Sequence, residues 1–166
     1  FARMRESGGV PVQPHRAHVL DPAVGAGVFL VATLRALIEA RWRADAQRPG
    51  TQTIREILYT QLKGFDVNDA ALKLTALSLY LTALELDPAP RPLTALKFED
   101  LRGRVLFDMR SPADREHETE GLPALGSLGP HVPTEHRGKY HVVIGNPPWT
   151  AWERPTRGSL SLSRFA

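Results

Sequence analysis

The chain has 166 residues, of which 42% are hydrophobic and 23% charged, and this composition is typical of one folded globular domain. Its 21 Lys and Arg residues against 18 Asp and Glu residues give a net charge of +3, which permits a phosphate-rich partner without requiring one. The absence of cysteine excludes disulfides, thiolate zinc sites and cysteine nucleophiles, and it is consistent with a cytoplasmic protein.

No signal sequence opens the chain. The apolar runs 28–38 and 70–86 are too short to span a membrane or carry the charge of Lys73, so we expect no membrane partner. The first residue is Phe1 rather than Met, which suggests a fragment, an excised domain or a processed product.

Short apolar segments alternate with helical patterns in the first part of the chain. Residues 1–4 are predicted to end a helix, and residues 19–21 to form a strand that stops at a proline. Apolar residues recur at intervals of three and four over 28–43, which predicts a helix. A Thr-x-x-Glu capping-box pattern at 53–56 predicts a second helix that ends at Gln61.

The alternation continues in the second part. Residues 62–66 and 93–98 are predicted strands, ended or followed by an acidic residue. Between them, Asn68 or Asp69 can cap a long helix that ends at about Leu86. This helix is apolar nearly all round, which predicts that it is sandwiched between other elements.

A last strand is predicted at 140–145. The resulting order of strands and helices indicates an α/β fold with a parallel sheet. In such sheets ligands bind beyond the carboxyl ends of the strands. Because Asp21, Asp66, Asp100 and Asn146 each stand at such an end, we expect a ligand site along this edge.

The sequence Val-Val-Ile-Gly-Asn-Pro-Pro-Trp at 142–149 joins a buried strand to a turn. The two prolines lack N–H groups and end the strand pairing, so the Pro147 carbonyl can accept hydrogen bonds beside the Asn146 side-chain amide. Two acceptors next to the flat face of Trp149 suit a planar ring that carries an exocyclic amine. The alternative is a plain Pro-Pro turn with a core tryptophan.

Asp21 is followed by Pro-Ala-Val-Gly-Ala-Gly, which places Gly25 and Gly27 between a strand and a helix. The glycines allow close backbone approach and positive φ, and the helix N-terminus offers free N–H groups. A dinucleotide fingerprint needs a third glycine where Leu30 stands, so a pyrophosphate loop is disfavoured. The alternative is an ordinary strand-to-helix turn.

Two further acids are candidates for contacts to a nucleoside. Asp66 could accept both hydroxyls of a ribose, as acids do in nucleoside-binding sheets. Asp100 could accept from the amino group of an adenine. The alternatives are a turn or cap carboxylate for Asp66 and a solvated loop acid, beside Glu99, for Asp100.

The histidines do not form a metal motif. His15 and His18, and later His131 and His136, have no third ligand at a suitable spacing, and tight metal sites need three or four ligands. No Ser-His-Asp arrangement is visible either. We therefore expect no metal.

Four sequence blocks together are similar to those of S-adenosylmethionine-dependent N6-adenine DNA methyltransferases, above all the modification enzymes of bacterial restriction and phage-defence systems. The blocks are Asp-Pro-Ala-x-Gly-x-Gly-x-Phe-Leu at 21–30, Gly-Phe-Asp-x-Asn at 64–68, Phe-Glu-Asp at 98–100 and Asn-Pro-Pro-Trp at 146–149. Asn-Pro-Pro-aromatic is also used by N5-glutamine protein methyltransferases, which stay an alternative. A non-catalytic nucleotide-binding or assembly fragment is another.

The resemblance implies a Rossmann-like class I methyltransferase fold with S-adenosylmethionine as cofactor. Asp21 and the glycine loop would line its methionine end, and Asp66 would hold its ribose. The implied cofactor-binding residues are Asp21, Pro22, Ala23, Gly25, Gly27, Asp66, Val67, Asn68 and Asp100. The implied catalytic residues are Asn146, Pro147, Pro148 and Trp149, with Asn146 and the Pro147 carbonyl on the target amine and Trp149 stacked on a flipped adenine.

The resemblance also divides the chain and implies missing parts. We predict a lead-in, the cofactor-binding half of the domain, a mobile insertion rich in proline and glycine, the catalytic strand with its turn, and a tail, at 1–18, 19–107, 108–139, 140–150 and 151–166. The parallel sheet would be incomplete, with an unpaired edge at its last strand. Alone, the chain is expected to bind cofactor weakly and to be inactive. The implied partners are double-stranded DNA, bound through a recognition region outside the chain, and the rest of the enzyme or a restriction or specificity subunit.

Overall fold

The structure is a computed structural model that describes residues 3–4, 12–90, 92, 97–110, 136 and 138–146. The described part contains three α-helices: α1 (Val28–Asp45), α2 (Thr51–Thr60) and α3 (Asp69–Leu86). It also contains five strands: β1 (Arg3–Met4), β2 (Val19–Asp21), β3 (Leu62–Asp66), β4 (Leu106–Asp108) and β5 (Val142–Val143).

The five strands form one sheet in the order β1-β5-β2-β3-β4. β2 pairs in parallel with both β3 and β5, and β3 pairs in parallel with β4. The chain passes from β2 to β3 through α1 and α2, and from β3 to β4 through α3. This is the α/β arrangement that the sequence predicts, and the Rossmann-like fold class is confirmed.

In the described part of the chain, the three helices cover one face of the sheet. The larger core cluster combines buried residues of all three helices with Val19 and Leu62 of the sheet. Because successive strand residues point to opposite faces, the smaller cluster of Leu20, Phe65 and Met109 lies on the other face. There His136 is buried against Phe65, with ring centroids 4.9 Å apart.

Close packing of helix and sheet depends on Gly64 in β3. A Cβ there would lie 2.8 Å from Leu30 Cδ1 and 3.0 Å from Leu106 Cδ2. A side chain at this position would force Leu30 and Leu106 to shift, and without one α1 and β4 pack closely against the β3 backbone. This contact brings the start of α1, and the glycine loop before it, onto β3.

The strand that pairs with β3 on its outer side is β4, and the predicted strand 93–98 is absent from the two residues of it that the structure describes. Of that segment, Lys97 and Phe98 lie outside any strand, and 93–96 are outside the described residues. The Phe98 ring packs on Tyr80 of α3, with centroids 4.8 Å apart. A turn at Leu101, whose carbonyl accepts from the Leu106 amide, then feeds β4 into the sheet. Tertiary packing therefore decides that Leu106–Asp108 join the sheet, which local strand propensity alone does not predict.

The predicted unpaired edge of the last strand is wrong for the described sheet. β1 pairs with β5 in antiparallel register, Arg3 opposite Val143 and Met4 opposite Val142. Residues 3–4 therefore belong to a strand and not to the end of a helix. Pairing in this position satisfies backbone groups that would otherwise form an open sheet edge.

The three predicted helices are present, with one correction to the start of α2 and one to the burial of α3. The capping box at 53–56 does not form, because α2 already begins at Thr51, after Gly50. α3 starts as predicted, with Asn68 Oδ1 accepting from the amides of Ala70 and Ala71. It is not sandwiched by the described residues, because Leu74, Leu77 and Leu81 are 50%, 53% and 56% exposed.

No helix in the described ranges is long and apolar enough to cross a membrane. The predicted division into five segments stays a prediction. Its insertion, 108–139, begins with the last residue of β4, and most of it lies outside the described residues.

Candidate functional site

The four parallel strands end at one edge of the sheet. In β2, Val19 pairs with Leu62 on one side and with Val142 on the other. These three residues therefore lie at the same level of the sheet. Gly145 follows β5 and lies against Asp21, since a Cβ on it would stand 2.9 Å from Asp21 Oδ1. Asn146 is the next residue, and it is exposed. The structure thus confirms that Asn146 and the acids that end β2 and β3 share one edge.

The loop between β2 and α1 contains two glycines in the left-handed region, Gly25 at φ +52° and Gly27 at φ +83°. This conformation strongly favours glycine over residues with a Cβ. The loop is tied to β3 because the Val24 amide donates to the Phe65 carbonyl at 2.9 Å. This hydrogen bond holds the loop and the start of α1 beside the carboxyl end of β3.

Asp66, the last residue of β3, connects two elements through its carboxylate. Oδ2 accepts from the Gly25 amide at 2.8 Å, and Oδ1 accepts from the Asn68 amide at 2.8 Å. Each carboxylate oxygen can accept a second hydrogen bond. The carboxylate therefore holds the loop and the start of α3 in place and retains acceptor capacity for a ligand hydroxyl.

Asp21, the last residue of β2, has a fully buried side chain. Oδ1 accepts from the Ala23 amide at 3.1 Å, whereas Oδ2 is buried with no hydrogen-bond partner among the described residues. Burial raises the pKa of this carboxyl to about 6, and the neighbouring negative charge of Asp66 adds to the effect. Buried carboxylate oxygens normally have partners, so Asp21 Oδ2 marks a place where a ligand donor would be stabilised.

The raised pKa of Asp21 predicts a pH dependence of stability. Its ordinary value is 3.8 and its folded value about 6, so the folded state binds more protons between these values and loses stability as pH rises through them. An Asp21→Asn variant, which cannot ionise, should gain about 2 kcal/mol in stability relative to the native chain between pH 4 and pH 7. Urea unfolding at each pH measures this difference. A difference that stays constant with pH would contradict the assignment.

Asp100, the acid predicted at the end of the third strand, does not lie at a strand end. Asp100 precedes β4, is exposed, and accepts from the Arg102 amide at 2.9 Å. The acid at the carboxyl end of β4 is Asp108, whose backbone is in register with Asp66 of the neighbouring strand β3. Its carboxylate forms a salt bridge with Arg110. Sequence analysis missed Asp108 because the strand was placed too early. The sequence signal available for it was Val-Leu-Phe before the acid.

The remaining predicted site residues divide into two groups. Pro22 is buried, Ala23 half-buried, and Val67 packs against the cluster of Leu20 and Phe65. Pro147, Pro148 and Trp149 lie outside the described residues. In the part of the chain that is described, no group of three or more histidines and acids could hold a metal ion.

The topology and this edge define a Rossmann-like α/β domain of the methyltransferase class. The family model of the MmeI DNA-methyltransferase domain matches residues 12–100, and that of the Eco57I restriction-modification methylases matches residues 60–159. Each match covers more than half of the chain. The chain therefore belongs to the family of restriction-modification DNA methyltransferases.

Solved structures of two large enzymes are similar to parts of the chain. The ATP-dependent Type ISP restriction-modification enzyme LlaBIII, bound to DNA, is 27% identical over 42% of this chain, with a TM-score of 0.35. A nuclease-deletion mutant of the Type ISP enzyme LlaGI, in complex with a DNA substrate mimic, is 24% identical over 64%, with a TM-score of 0.40. The chain spans 4% and 8% of these two enzymes. No curated protein matched it.

Proposed function

We propose that this chain carries the methyl-donor and target-amine sites of an enzyme that transfers a methyl group from S-adenosylmethionine to N6 of adenine in DNA. The supporting observation is the edge shared by the Asp21 loop, Asp66 and Asn146. It would place a donor bound beyond β2 and β3 beside an amine bound beyond β5. Double-stranded DNA is the proposed substrate, and other parts of a restriction-modification system are the proposed partners.

The residues at the edge fit the polar groups of S-adenosylmethionine. Asp66 retains acceptor capacity for the two ribose hydroxyls. The buried Oδ2 of Asp21 lacks a donor in the described structure, and the α-ammonium group of the methionine part supplies one. Pro22, Ala23 and the two loop glycines would line that part of the cofactor.

Val67 and Asn68 would flank the adenine ring of the cofactor. Its amino group has two candidate acceptors, because Asp100 is predicted by the sequence resemblance and Asp108 stands at the end of β4. Alanine variants of each acid distinguish them. Only the acceptor that binds the amino group should change the preference for S-adenosylmethionine over an analogue without it.

The bound cofactor supplies an electrophilic methyl group, and the chain orients the amine that attacks it. Asn146 and the Pro147 carbonyl would accept hydrogen bonds from the two N–H groups of the target amine, while Pro148 would hold the turn and Trp149 would stack on the flipped base. Hydrogen bonds from both N–H groups to these oxygens would direct the nitrogen lone pair away from the ring. The nitrogen would then bond the methyl carbon as the carbon–sulfur bond breaks, and it would lose one proton to water. Catalysis then comes from positioning and from hydrogen bonds to the reacting amine.

Product analysis of the full-length gene product tests this proposal. The enzyme is incubated with S-adenosylmethionine labelled in its methyl group, unmodified duplex DNA and, separately, a glutamine-containing peptide. Digestion of the DNA should yield label in N6-methyldeoxyadenosine alone. Label in a methylated cytosine or in the peptide would contradict the adenine assignment, and label in neither substrate would contradict the activity.

A further inference from the structure

One buried hydroxyl reaches the glycine loop from a distant helix. Thr75 lies in the first half of α3 and is fully buried. Its Oγ1 donates to the Gly25 carbonyl at 2.8 Å, across 50 positions of sequence. A threonine inside a helix more often bonds its own helix, as Thr82 does with the Ser78 carbonyl at 2.8 Å. Thr75 instead contacts the loop.

The hydrogen bond from Thr75 is one of two that hold the backbone of Gly25. The Gly25 amide donates to Asp66 Oδ2, and the Gly25 carbonyl accepts from Thr75. Both polar groups of Gly25 are therefore held by side chains, while its φ of +52° lies outside regular secondary structure. Because glycine can adopt many backbone conformations, these two hydrogen bonds select this one.

The rest of the Thr75 side chain sets the distance between the loop and α3. A Cβ on Gly27 would lie 2.8 Å from Thr75 Cγ2 and 2.9 Å from its Oγ1. Gly27 is therefore pressed against the threonine, and the loop has no free space toward α3. One side chain both bonds the loop at Gly25 and supports it at Gly27.

We propose that Thr75 is a positioning residue for the methyl donor, because it holds the Gly25–Gly27 backbone in the conformation that receives the methionine part of S-adenosylmethionine. This inference rests on the proposed function. Asp66 would bind the ribose and also hold Gly25, so Thr75 fixes the spacing between the ribose site and the methionine site. Loss of its hydroxyl leaves the loop free to move away from Asp66.

The test compares affinities for S-adenosylhomocysteine, which cannot react, by calorimetry on the full-length gene product. Thr75→Val replaces the hydroxyl by a methyl group of similar size, and Thr82→Val is the matched control at another buried position of the same helix. Thr75→Val should bind about fivefold to tenfold more weakly. Thr82→Val should bind like the native protein, although both variants lose a buried hydrogen bond and should lower the unfolding temperature.

A second pair of variants isolates the hydroxyl if Thr75→Val does not fold. Thr75→Ser and Thr75→Ala both lack the methyl group and differ by one oxygen atom, so Thr75→Ser should bind more tightly. Equal affinities within either pair would overturn the role of Thr75. If Asp66→Ala still weakens binding in that case, only this inference fails. If Asp66→Ala has no effect either, the proposed cofactor site fails with it.

Discussion

Replacing Asp66 by alanine should weaken the binding of S-adenosylmethionine on the order of 100-fold. The carboxylate would accept two ribose hydroxyls, and hydrogen bonds to a charged acceptor contribute roughly 1.5–3 kcal/mol each, where about 1.4 kcal/mol is tenfold in affinity. The same carboxylate holds the Gly25 and Asn68 amides. Its loss therefore also releases the loop that faces the cofactor. Isothermal titration calorimetry measures the change.

An acid far from the edge provides the control for Asp66. Asp45 ends α1, is exposed, and pairs with Arg41. It lies about 26 Å along the helix from the glycine loop at 1.5 Å per residue. Asp45→Ala should bind the cofactor like the native protein. Similar affinities for the Asp66 and Asp45 variants would remove Asp66 from the site.

Replacing Asn146 by alanine should lower the rate of methyl transfer to DNA by about 100-fold or more, a loss typical of removing one hydrogen bond to the reacting group. Affinity for S-adenosylmethionine should stay close to native. Asn146 is exposed at the end of β5, and its proposed contact is with the target amine rather than with the cofactor. Single-turnover transfer of labelled methyl groups to duplex DNA measures the rate, and calorimetry measures the affinity.

The Asn146→Asp variant refines this prediction. Aspartate keeps an oxygen that accepts a hydrogen bond from the amine, so this variant should retain more activity than Asn146→Ala. An alanine variant with a native rate would exclude Asn146 from the reaction. An alanine variant that loses cofactor affinity to the same degree as rate would assign Asn146 to the cofactor site instead.

The elements with strong local signals are those that the sequence predicts correctly. β2 and β3 are short apolar segments bounded by a proline or an acid, and α3 begins at a residue that caps it through its own side chain. Local sequence signals do not predict the positions of β4 and β1. β4 depends on where the turn at Leu101 directs the chain, and β1 pairs with residues about 140 positions later.

The residues of the candidate site also differ in whether a local sequence signal predicts them. The glycine loop and Asp66 are recognisable because each sits at a strand end with a residue type that suits its position. Thr75 gives no such signal, because it lies within an apolar helical run and acts on a carbonyl 50 residues away. The unpartnered Oδ2 of Asp21 is equally invisible in sequence, because it depends on how the folded chain buries this carboxyl group.

A crystal structure of the full-length gene product with bound S-adenosylhomocysteine is the most direct measurement of where donor and acceptor meet. We expect the ribose hydroxyls on Asp66, the ammonium group on Asp21 Oδ2, and the sulfur atom turned toward the Asn146 side chain. A ligand bound elsewhere on the domain, or a sulfur atom directed away from Asn146, would contradict methyl transfer at this edge of the sheet.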